Sequence, residues 1–153
     1  MLGVKWRFFD AGETGWQMST YPQVEFRNPG SRSAERGLAE EGTTVLVPFE
    51  FQRAFAALGV NFEVGRAFSS RSDDEWFGGV VIDHEFDAGF ELMAEVHGES
   101  SQSLDRSAVA ANVGTRIEWP HHGTLLVSLG RDLHNRLDER SAVFGYLGWQ
   151  VQL

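Results

Sequence analysis

Three observations predict an all-β chain, an antiparallel up-and-down meander of about nine strands. Apolar and polar residues alternate with a period of two through most of the sequence. The longest example sets Val109, Ala111, Val113, Thr115, Ile117 and Trp119 against Ala110, Asn112, Gly114, Arg116 and Glu118. Connecting segments alternate between short turns and longer polar loops, and no stretch compels a helix. A meander of this size must close its sheet or cover its edges, and the expected architecture is a transmembrane β-barrel.

In chain order, the first strand places Leu2, Val4, Trp6 and Phe8 on one face and Lys5, Arg7 and Phe9 on the other. After a turn at Asp10 to Gly15, the second sets Trp16, Met18, Thr20, Val24 and Phe26 against Gln17, Ser19, Tyr21, Gln23, Glu25 and Arg27, with Pro22 predicting a bulge or irregular pairing. Asn28 to Gly42 reads as a long loop with a short, uncapped segment at Ala34 to Glu41 that is compatible with helix. The third strand (Thr43 to Phe51) and the fourth (from Ala56) flank a turn expected near Gln52-Arg53. Ser69 to Asp74 is a polar loop. The fifth strand, with Trp76, Val80 and Ile82 on its apolar side, and the sixth, with Phe90, Leu92 and Val96, meet at Asp87-Ala88-Gly89. Gly98 to Ser107 is polar again. The long hairpin then turns at Pro120-His121-His122-Gly123, Leu125, Val127 and Leu129 forming the apolar side of its return. Asp132 to Ser141 is the last loop before Val143, Leu147, Trp149, Val151 and Leu153.

The chain of 153 residues is long enough for one domain, 1–153. A net charge of -9 without any basic stripe excludes a nucleic-acid partner. No cysteine means no disulfide frame and no thiolate metal site. No apolar run approaches the roughly 20 residues of a transmembrane helix, a test blind to membrane strands. The amino terminus shows no signal-peptide pattern.

Alternation does not say which face is wet. A soluble barrel that binds an apolar small molecule in its core is the alternative to a membrane barrel. Three features favour the membrane. Loop length segregates by end, as in outer-membrane barrels. Aromatic residues of the apolar face gather near the short turns, at Phe8, Trp16, Phe51, Phe86, Phe90, Trp119 and Trp149, with Phe26 and Trp76 at the other end. That is an interfacial girdle, where a ring finds an apolar body and a wet edge. The polar face mixes charge with small residues (Gly59, Gly65, Gly79, Ala108, Ala110, Gly114), while the middle of the apolar face carries none, Arg66 and Arg131 lying at loop ends. Outer-membrane lipid is then the expected partner of the apolar face. The direction of the strands puts Met1 on the outer side, and this parity leads to the expectation of a carboxy-terminal portion of a larger barrel, with upstream strands and a leader not included.

Leu2-Gly3-Val4-Lys5-Trp6-Arg7-Phe8, Phe90 to Ser100, Asn112-Val113-Gly114-Thr115-Arg116 and Leu126 to Leu133 resemble the outer-membrane barrels named for the meta-pathway of phenol degradation. The resemblance implies a Gram-negative outer-membrane location and passage of small compounds, aromatic ones among them, and carries over no catalytic residue. The ending, Leu147, Trp149, Val151 and Leu153, resembles the signal read by the barrel assembly machinery, with Leu153 where a terminal Phe is usual.

The expected function is a passive channel or small-molecule transporter without a cofactor. Its lumen would be lined by Lys5, Arg7, Glu63, Asp83, Glu85, Glu91, Glu95, Asn112, Arg116 and Glu118. Asp83, Glu85, Glu91 and Glu95 form either a cation-favouring constriction or a network paired with Lys5, Arg7 and Arg116 that holds the wall, which is the preferred reading. His121-His122 lacks a third metal ligand. His97 beside Glu95 and Ser100 is the only hydrolase candidate, and catalysis would require mutual contact that spacing does not show.

Overall fold

The structure, a computed structural model, describes residues 1–12, 15–26, 42–86, 89–119, 123–136 and 143–151. The Ala34 to Glu41 segment, Asp87, Ala88, Pro120, the His121-His122 pair and Leu153 lie outside the described residues.

Eleven strands form one antiparallel sheet: β1 (Leu2–Gly3), β2 (Trp6–Asp10), β3 (Gln17–Thr20), β4 (Gln23–Phe26), β5 (Thr43–Phe55), β6 (Leu58–Ser69), β7 (Glu75–Phe86), β8 (Phe90–Ser101), β9 (Ser107–Trp119), β10 (Gly123–Asn135) and β11 (Val143–Gln150). From β5 to β11 each strand pairs with the next, so the up-and-down meander is the observed topology. The excess over nine arises where the first two expected strands each break in two. Pro22 has no N–H to donate to a ladder. It sits between β3 and β4, its carbonyl accepts from Val4 N at 3.1 Å, and β1–β4 and β2–β3 pair on either side of the break. At the far edges, β11 and the β1/β2 pair do not meet among the described residues, so the sheet is open.

Expectations on strand boundaries and on one facing need correction. The turn after the third expected strand lies at Ala56-Ala57, with Ala56 in the left-handed region (φ 55°), not at Gln52-Arg53. The β5–β6 ladder continues through Arg53↔Val60 to Phe55↔Leu58, so an arginine on the apolar side does not end the strand. The polar loop expected at Ser69 to Asp74 stands except for Ser69, which ends β6, whereas the one expected at Gly98 to Ser107 shortens to 102–106 and β10 runs on through Asp132 to Asn135, because a ladder of backbone hydrogen bonds continues whatever the polarity of its side chains. At the edge, a register shift between Arg7 and Phe9 turns Phe9 to the side of Met18, its ladder partner, rather than to the side of Lys5 and Arg7.

The distribution of burial is reversed from that of a soluble domain. Ser19, Pro48, Gly65, Ser101, Ala110 and Gly130 are buried, and all of them are on the polar face. Along β8 the pattern alternates, with Leu92 and Val96 each 43% exposed on the apolar face. The side chain of Glu91, on the polar face, is only 16% exposed. Crowding on one side and openness on the other is what a curled sheet produces, with the polar side chains inside. The glycines of the inner face serve this crowding: Phe77 lies over Gly65, Phe144 over Gly130 and the Asp83 carboxylate over Gly59, each where a Cβ would stand.

Candidate functional site: the polar face and its aromatic rims

Register places the expected lumenal residues in rows across the strands. One row runs Gln52, Asn61, Val81, Glu95, Asn112. The next holds Gly59, Asp83, Met93, Gly114, Ser128 and Tyr146, and beyond it Glu85, Glu91, Arg116 and Leu126 follow. Asp83, Glu85, Glu91, Glu95, Asn112, Arg116 and Glu118 therefore share one face of β7–β9, as the alternation predicted.

Their pairing differs from the preferred reading. Arg116 Nε lies 2.9 Å from Glu91 Oε2, an ion pair without aligned hydrogen-bond geometry, and its Nη2 lies 3.6 Å from Glu118. Lys5 and Arg7 do not reach these acids. Lys5 Nζ sits 2.6 Å from Glu50, which also accepts from Ser19 Oγ at 2.7 Å, and Arg7 pairs with Asp10 at 3.1 Å. The reason is distance: β3, β5 and β6 lie between β2 and β7, each adding about 4.8 Å. Of the four acids first singled out, Glu91 alone meets an arginine; Asp83 and Glu85 have no ion pair among the described residues. Glu63 has none either, and it stands directly across the ladder from Glu50. Among the described residues the inner face thus carries carboxylates with no ion-pair partner.

Comparison of the chain with protein-family models, curated proteins and solved structures gives no match. The reading of the site therefore rests on its own geometry.

At the rim of short turns, Phe86 and Phe90 face each other at 5.5 Å and Trp119 stacks on Trp149 at 5.4 Å. Phe8 contacts Trp6 edge-on at 5.7 Å. Trp16 stands 6.5 Å from Phe62. Phe51 leaves the rim, because the later turn puts Phe55 there in its place. Phe55 was missed by sequence reasoning, and the signal was the unbroken alternation Phe49, Phe51, Arg53, Phe55. Arg53 lies over the rings of Phe55 (4.6 Å) and Trp16 (5.7 Å). At the opposite rim, Arg66 lies over Phe68 (5.0 Å) and Trp76 (5.2 Å) and pairs with Asp74 at 2.9 Å. Val47, the partner of Arg66, to Arg53 spans about 20 Å along β5 at roughly 3.4 Å per residue. Each guanidinium, held by two rings, bounds the uncharged band between them.

The hydrolase candidate does not assemble. His97 Nδ1 is 3.8 Å from Glu95, but Ser100 belongs to the opposite face and donates to the Arg106 carbonyl at 3.0 Å. No group of three metal-ligating side chains exists among the described residues.

Proposed function

We propose that this sheet is part of the wall of an outer-membrane β-barrel that passes small solutes, with a preference for cations. The observation that carries the reading is the reversed burial: large apolar side chains are bare on one face, while carboxylates crowd the other. Water would tax that arrangement, and hydrocarbon would not. Strands β5 to β10 are 12 or 13 residues long, beyond the roughly 9 to 11 a tilted strand needs to cross a bilayer. The open edges are compatible with this reading, since a membrane barrel admits no unpaired edge in lipid, and further strands would pair with β11 and with β1/β2. A lineage with the barrels of the phenol meta-pathway, and delivery by the barrel assembly machinery through the last strand, belong to the same proposal.

The preference for cations follows from the acids that form no ion pair among the described residues, Glu63, Asp83 and Glu85, on the inner face. The test is the reversal potential of the folded protein in a planar bilayer under a potassium chloride gradient. A cation-selective current is expected, and Asp83→Asn with Glu85→Gln should move the reversal potential toward zero. Silence, or anion selectivity, would overturn the reading.

A further inference from the structure

The inner face is not uniformly polar. Between β7 and β11 it holds a depression of about 300 Å³ whose walls include Val81, Met93, Leu126 and Tyr146 together with Glu95 and Asn112. Its size is at the lower end for small-molecule sites. Gly114 lies in its floor, where a Cβ would press on that of Ser128, and so leaves the backbone bare. Apolar walls inside a charged lumen have no partner within the sheet, and lumenal water is a poor one.

The charge in this depression is the Glu95 carboxylate. Asp83, in the neighbouring row, is folded over Gly59 on the β6 side, away from it. Arg116 is held between Glu91 and Glu118. The cationic contact of Glu95 among the described residues is His97 Nδ1 at 3.8 Å, a partner only when protonated. An anion would be repelled here, and a neutral apolar molecule would cover the carboxylate without replacing its water. An ammonium head on an apolar body satisfies both halves of the site. The ring of Tyr146 is a further surface on which such a cation can rest.

We propose that this depression binds a small organic ammonium, its charge on Glu95 and its apolar body against Val81, Met93, Leu126 and Tyr146. The proposal rests on the lumenal reading of this face and names the substrate class that the lumen retains.

The test uses the folded protein in octyl glucoside, with ¹³C-methyl methionine as reporter and 2-phenylethylammonium as probe. 2-Phenylethanol and 3-phenylpropanoate serve as the neutral and anionic comparisons. A saturable shift of the Met93 methyl, with Met18 on the opposite face unmoved, is expected for the ammonium alone. Glu95→Gln should weaken it at least tenfold, Leu126→Ala should weaken it too, and Glu99→Gln on the same strand should leave it unchanged. Equal response to the alcohol, no response, or indifference to Glu95→Gln would overturn the site. Reversal potentials on the same preparation separate the two proposals: selective conduction without a Met93 response removes the binding site alone, and a Met93 response without conduction removes the channel alone.

Discussion

Asp105 Oδ1 accepts from both Ser101 Oγ and Ser103 Oγ, each at 2.6 Å, in the loop that joins β8 to β9. The two hydroxyls, Ser101 first, hold its carboxyl down at about 2 from an ordinary 3.8, against a small opposing effect of burial. A lowered acid stabilises the folded loop above its unfolded pKa and loses that contribution as pH falls through the folded value. Protection of the loop amides against hydrogen exchange should therefore be constant above about pH 4 and decline toward pH 2. Asp105→Asn should flatten that profile. Residue identity was a fair guide to position here, since Ser, Asp and Gly clusters mark loops. It was a poor guide to partners: Lys5 and Arg7 were expected to pair with the β7–β8 acids, yet three intervening strands keep them apart.

At the level of the strand, alternation assigns each residue to a face, and β8 shows the consequence most clearly. Val96 and His97 are neighbours in sequence and opposites in environment. Val96→Arg would place a guanidinium at the middle of the apolar face, which costs about 2–4 kcal/mol if that face meets hydrocarbon. His97→Arg, aimed inward beside Glu95, should cost less than about 0.5 kcal/mol. Equilibrium denaturation of the two variants in lipid vesicles measures the difference, and equal costs would mean that the apolar face lies in water. Period-two patterning made every strand from the third onward legible, but not where each one ends. Arg53 looked like a stop because a charge on an apolar face is unfavourable in isolation. Stacked on Trp16 and Phe55 at the rim it is not, and the strand runs on to Phe55. The register shift after Arg7 was likewise invisible, since one extra residue leaves composition unchanged and only the ladder to Met18 reveals it.

For the molecule as a whole, the accessible surface is 10969 Å² at 17.1 kDa. A globular monomer of that mass exposes about 7,800 Å². Large apolar side chains of one face stand among the exposed residues, Phe62, Val64, Ile82, Leu92, Val96 and Val113 with them, where a soluble monomer tolerates only a few hundred Å² of contiguous apolar surface. The chain should therefore aggregate without amphiphile. Folded in octyl glucoside, it should migrate differently on a denaturing gel before and after boiling; a monodisperse species free of detergent would contradict this. By itself the sequence determined the fold class, the succession of strands and the face of nearly every strand residue, because a period of two is local information carried by each side chain. Only the tertiary structure decided which acids stay unpaired, which aromatics reach the rim, that the edges of the sheet stand open, and that Met93, Glu95 and Tyr146 share one depression. Those facts depend on register between strands distant in sequence, which no local pattern encodes.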